Sequence, residues 1–163
     1  QRSGELKSAG KVLAEAVRLD PNSPRACLLY GRGLLEQAKL VSSGPGFGVM
    51  RLGRQSQAER MLSKAMDLSP TVPDVHLALA ELRLNNGALR DPAIALTRAG
   101  EAVRLTDRRN APALATLAAA QAATGSPKKA VGTMREALKI DPKNTTYVAA
   151  LRRYEADANA LRR

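Results

Sequence analysis

The sequence predicts an all-α fold, an α-solenoid of antiparallel helix pairs built from about eight helices. Three observations predict it. A closing phrase recurs as Glu15-Ala16-Val17-Arg18-Leu19-Asp20-Pro21, Lys64-Ala65-Met66-Asp67-Leu68-Ser69-Pro70, Glu101-Ala102-Val103-Arg104-Leu105-Thr106-Asp107 and Glu136-Ala137-Leu138-Lys139-Ile140-Asp141-Pro142. Its alanines, at 16, 65, 102 and 137, stand 49, 37 and 35 residues apart, the spacing of a helical repeat array. Between the phrases apolar residues return every three or four positions, and no useful stretch alternates with period two, so no strand is expected.

Each element follows in order. Gly4–Leu19 carries Leu6, Ala9, Leu13, Ala16 and Val17 on one face, and Asp20-Pro21-Asn22-Ser23-Pro24 stops it. Pro24 to about Val41 is a second helix, packing through Cys27, Tyr30, Gly31, Leu34 and Ala38. Ser42-Ser43-Gly44-Pro45-Gly46-Phe47-Gly48 breaks helicity. A third helix is expected to resume between Val49 and Gln55 and to run to Leu68. The fourth spans Pro73–Asn85 and ends at Asn86-Gly87. Asp91-Pro92 reads as an N-cap with proline at the first helical position, opening a fifth helix to Leu105. Ala111–Thr124 and Pro127–Ile140 are the sixth and seventh, and Asn144 or Thr145 caps an eighth over Thr146–Leu161.

Composition narrows the function. Aromatics make up only 2% of the chain, so the core is expected to be Leu, Ala, Val and Met, with alanine allowing close helix crossings. A single cysteine excludes an internal disulfide and a cysteine-based zinc site, and Cys27 reads as a buried structural thiol. No apolar run approaches the roughly 20 residues that span a bilayer. Gln1-Arg2-Ser3-Gly4 has neither an initiator Met nor an apolar signal core, so the chain reads as an excised or processed piece. The net charge of +11 is spread along the chain, and the four aromatic residues supply few stacking platforms for single-stranded nucleic acid.

The 34-residue unit Ala111–Asn144 resembles the tetratricopeptide repeat, matching at Leu114, Leu117, Ala118, Gly125, Ala130, Met134, Ala137 and Pro142. Residues 73–110 match at Leu79, Ala80, Gly87, Ala95 and Ala102, with Asp107 in place of the terminal proline. Residues 24–72 match at Gly31, Ala58, Leu62, Ala65 and Pro70, with 15 extra residues and an inserted loop at 42–54. Residues 4–23 match the second half of a repeat, at Ala9, Leu13, Ala16 and Pro21, and residues 145–163 resemble the helix that closes such arrays. The resemblance implies one domain over 1–163, coiled into a right-handed superhelix. The half repeat leaves Leu6, Leu13 and Val17 partly uncovered, awaiting a missing upstream segment or another chain.

The family's geometry further implies that the first helix of each pair lines a concave groove. That places Arg25, Leu28, Arg32, Leu35 and Glu36 on it, then Asp74, Leu77, Glu81, Leu84 and Asn85, then Ala115, Ala119, Ala122 and Ala123, and last Ala149 and Arg153. Such an apolar trough with charged edges suits an amphipathic helix or an extended peptide, with some attraction for acidic partners. The carboxylate clamp of chaperone-binding members falls on Leu28, Arg32, Ala78, Pro112 and Thr116, and a single basic residue cannot reproduce it.

The remaining motifs support no chemistry. Gly44-Pro45-Gly46-Phe47-Gly48 lacks the Gly-Lys-Ser/Thr of a phosphate loop and follows no strand. On the insertion, Phe47, Arg51 and Arg54 are candidate partner contacts, with Phe47 either an anchor or tucked onto the array. His76, the sole histidine, stands where the family places a bulky packing residue, without a nucleophile or paired carboxylate to serve it. No ligand cluster suits a metal, and no cofactor is expected. The expected function is a non-catalytic protein-interaction scaffold using the groove and the 42–54 insertion. The alternative is a basic adaptor for nucleic acid or an anionic membrane surface.

Overall fold

A computed structural model describes residues 2–40, 47–85 and 87–160, with the side chains of 2–7 and Phe47 outside the description. Its eight helices are α1 (Arg2–Leu19), α2 (Pro24–Lys39), α3 (Phe47–Leu68), α4 (Pro73–Leu84), α5 (Pro92–Leu105), α6 (Ala111–Ala123), α7 (Pro127–Ile140) and α8 (Thr145–Ala160). Among the described residues there is no strand.

Local chemistry sets the boundaries. Proline occupies the first turn of α2, α4, α5, α6 and α7, where its missing N–H costs no helical bond. Ser23, Asp91, Asn110 and Asn144 turn their side-chain oxygens onto free amides at the starts of α2, α5, α6 and α8. After α6, Gly125 takes φ +78° and Ser126 N–H donates to the Gln121 carbonyl at 2.8 Å, closing the helix. Asp107, at the position of the missing proline, does similar work: with φ +47° it lets Arg108 N–H reach the Val103 carbonyl.

One boundary differs from the expectation. Helix α3 begins at Phe47, so residues 47–54 of the expected loop are helical, and only 41–46 lie outside the described residues. Gly48 and Gly53 each cost such a segment about 1 kcal/mol, but every residue added to an existing helix also gains a backbone bond.

The helices pair as α2 with α3, α4 with α5 and α6 with α7, while α2, α4 and α6 also pack side by side. Helix α1 lies on α2 and α8 on α7, at the two ends of the stack. Two core clusters result. One joins Cys27, Leu34, Leu62 and Val75 across α2–α4, and the other joins Leu77, Leu114, Met134 and Tyr154 across α4–α8. Small residues stand at the crossings: Ala58, Ala65, Ala80, Ala95, Ala99, Ala102, Ala118, Ala130 and Ala137 are wholly buried. The first turns of α2 and α4 share a device. Cys27 Sγ approaches the Pro21 carbonyl at 3.7 Å, and His76 Nε2 donates to the Pro70 carbonyl at 2.7 Å. Each ties a helix to the proline turn before it, and His76 Nδ1 is buried without a hydrogen bond among the described residues.

Candidate functional site

Residues of α2, α4, α6 and α8 line one cavity of about 280 Å³. Its floor is apolar: Leu84 from α4, Ala115 and Ala119 from α6, Met134 from α7, and Ala150 and Tyr154 from α8. Its polar groups are few, namely Lys39, Glu81, Asn85, Thr116, Thr146 and Tyr147. A few polar groups on a mostly apolar concave surface are the make-up of a ligand site.

Glu81 dominates the electrostatics. Its carboxylate engages no hydrogen bond or ion pair among the described residues, and burial pushes its pKa up, opposed by Arg32 and Lys39 and reinforced by Glu36 and Asp74. Across the cavity, burial raises the Tyr147 hydroxyl, helped by Asp141 and Glu81. The phenol therefore remains a donor, and the half-buried carboxylate is an acceptor.

A second depression of about 430 Å³ opens at the starts of α2 and α4, lined by Pro24, Arg25, Leu28, Leu29, Val72, Asp74 and Val75. The residues assigned to the trough are thus divided. Glu81, Leu84, Ala115 and Ala119 come together in the first cavity, and Arg25, Leu28 and Asp74 in the second. Leu35 and Leu77 are 3% and 4% exposed and lie in the core instead, because neighbouring first helices cover them. Ala122 packs partly buried against the same core. Arg32 is exposed and acts on Glu81 through its charge alone. Arg153 stacks over the Tyr154 ring at 5.1 Å and lines neither cavity. Tyr147, Ala150 and Tyr154 fall outside the trough expected from the repeat, yet they form its α8 wall. Their signal is the spacing Tyr147, Leu151, Tyr154, Ala158, which marks the inward face of α8. On the insertion, Arg51 and Arg54 are half-buried on α3, and the Phe47 side chain lies outside the described residues.

No family model matches the sequence and no curated protein matches it, so the comparison rests on solved structures. TTC0263, a thermophilic TPR protein of Thermus thermophilus, superposes with a TM-score of 0.74 at 17% identity, over 95% of this chain and 74% of that one. The fold is that of the tetratricopeptide repeat. The first TPR of Spaghetti (RPAP3), bound to the HSP90 peptide SRMEEVD, matches with a TM-score of 0.60 at 22% identity, over 82% of this chain and 96% of its own. YrrB, a TPR protein with an unusual peptide-binding site, matches at 0.53 and 17% identity, over 90% and 84%. In this tetratricopeptide-repeat array, the chaperone-clamp positions Leu28 and Ala78 are buried, Arg32 and Pro112 are exposed, and Thr116 is half-buried. Among the described residues no group of three or more His, Cys, Asp or Glu is placed to hold a metal, and no helix is long and apolar enough to cross a membrane.

Proposed function

We propose that this chain is a non-catalytic scaffold that holds a peptide or a helix of another protein in the cavity between α2, α4, α6 and α8. The observation that carries the reading is Glu81: a half-buried carboxylate that accepts no hydrogen bond among the described residues and whose pKa burial raises, set beside an apolar floor. Folding alone gains nothing from such a group, whereas a ligand that donates a hydrogen bond to it offsets the desolvation. Two structural neighbours add support, since Spaghetti was seen with a peptide and YrrB is described by its peptide-binding site. The ligand differs in chemistry from SRMEEVD, because four of the five clamp positions here lack a cation. A segment with a small apolar side chain for Ala115 and Ala119, followed by a donor for Glu81, fits the lining.

The test is selection of binding peptides from a random display library against the full chain, followed by titration against Ala119→Arg. An arginine on the floor is expected to weaken the selected peptides by tenfold or more, by filling the trough and adding a charge. Peptides that bind the variant as tightly as the parent would place recognition elsewhere.

A further inference from the structure

The net charge of +11 is unevenly divided between the two edges of the stack. On one edge lie the turns between successive hairpins, where the acids Asp20, Asp67, Asp74, Asp107 and Asp141 balance the cations Arg25, Arg108, Arg109 and Lys143. The other edge holds the turns within the hairpins. Within residues 36–40, 47–54, 84–94 and 123–129 the cations are Lys39, Arg51, Arg54, Arg90, Lys128 and Lys129, against the acids Glu36 and Asp91. Both acids are engaged, Glu36 with Lys39 at 2.6 Å and Asp91 as the cap of α5. Apart from Lys39, those cations meet no acid among the described residues.

This cationic edge is also apolar. Helices α5 and α7 begin three residues before Ala95 and Ala130, but α3 begins eleven before the equivalent Ala58. The eight additional residues project the start of α3 by about 12 Å, at 1.5 Å per residue. Along that projection Val49 is 76% exposed, Met50 52% and Leu52 38%, and Leu40 at the end of α2 is 49% exposed. Among the described residues nothing lies within 4 Å of a Cβ added at Gly48 or Gly53, so those two points of the projection face open space.

We infer that this edge docks on an anionic lipid surface, with Val49, Met50 and Leu52 entering the headgroup boundary and Arg51, Arg54, Arg90, Lys128 and Lys129 facing the lipid charge. Exposed apolar side chains among cations are the combination that binds interfaces: the cations act over a Debye length and the apolar groups gain from leaving water. The apolar component decides between polyanions. A nucleic-acid backbone rewards the arginines and lysines but gains nothing from Val49 and Met50, and among the described side chains the edge presents no aromatic on which a base could stack. The inference is independent of the cavity and of what occupies it.

The experiment uses the full chain with vesicles of phosphatidylcholine, alone or with about a third phosphatidylserine. Sedimentation is expected only with the anionic vesicles, weakening from about 50 to 200 mM salt. Arg51→Gln with Arg54→Gln, and separately Val49→Ser with Met50→Ser, are each expected to weaken it about tenfold. The chain lacks tryptophan, so Met50→Trp installs a single reporter whose emission should shift to the blue on anionic vesicles. Three results would overturn the proposal: no sedimentation at low salt, an unshifted reporter on bound protein, or tighter binding to an oligonucleotide that Val49→Ser with Met50→Ser leaves intact. Circular dichroism confirms that each variant folds.

Discussion

Gly31 offers the sharpest test of what holds the hairpins together. A Cβ added there would stand 2.7 Å from Leu62 Cγ, 2.8 Å from Leu62 Cδ2 and 3.3 Å from the Ala58 carbonyl oxygen. Carbon contacts are comfortable from about 3.5 Å, so two atoms would overlap by most of an ångström. Leu62 is completely buried and cannot swing into solvent. Either it leaves its rotamer, at about 0.5–1.5 kcal/mol, or α2 and α3 separate and lose packing along their length. Overpacking of this kind costs about 1–3 kcal/mol, while alanine returns about 1 kcal/mol of helix propensity over glycine.

Gly31→Ala is therefore expected to destabilise the chain by up to about 2 kcal/mol, read as a lower urea midpoint at unchanged slope. With Leu62→Ala already present the overlap is gone, and the same substitution should stabilise by about 1 kcal/mol. The double-mutant cycle then yields a coupling of about 1–3 kcal/mol. A stabilising Gly31→Ala in the parent, or a coupling within about 0.5 kcal/mol of zero, would refute the argument that close approach selects the glycine. The later hairpins point the same way. At the corresponding positions Ala80 pairs with Ala99 and Ala118 with the unbranched Met134, so the larger first residue goes with a smaller or more pliable partner.

Other consequences follow. Asp91→Ala removes the acceptor for the Ala93 and Ile94 amides and should cost about 1 kcal/mol, a fall of about 2–4 °C in thermal midpoint. Glu81→Gln tests the cavity by pH. Burial holds this carboxyl above its ordinary 4.5, so the folded state prefers the proton, and that contribution is whole below 4.5 and lost as pH climbs through the raised value. The amide should therefore resist urea better than the parent near pH 7 and equally near pH 4; an advantage that grew on acidification would contradict the desolvation reading. Tyr154 is 2% exposed, so Tyr154→Ala should cost about 3–5 kcal/mol, with hydrogen exchange accelerating first in α8. Tyr154→Phe keeps the ring and loses only a 3.4 Å contact from Arg153, and its effect should stay within about 0.5 kcal/mol.

How far the structure can be read in advance depends on whether a property is local. Helix boundaries are legible because their causes are adjacent in the chain: a proline at the first turn, an Asx or Ser oxygen on a free amide, a glycine able to take positive φ. The register of the hairpins is legible because buried alanines repeat at matching positions. The same register misjudges α8, where it points to Ala149 and Arg153 while the fold presents Tyr147, Ala150 and Tyr154. A terminal helix has no following helix to pack its second side, so a rule carried over from paired helices need not hold, and its own stripe of tyrosines is the better guide. Leu35 and Leu77 show the other limit. A first-helix face is both groove and contact surface for the next first helix, and only the stacking of α2, α4 and α6 decides which residue serves which purpose. Glu81 is the extreme case. Its neighbours Arg32, Asp74 and Lys39 come from two helices, and its partial burial exists only once the helices around it have packed. The feature that argues most directly for a ligand is thus the one that sequence alone could least disclose: a charge is ordinary on any helix, and becomes informative only where packing has drawn it partly out of water without giving it a hydrogen bond.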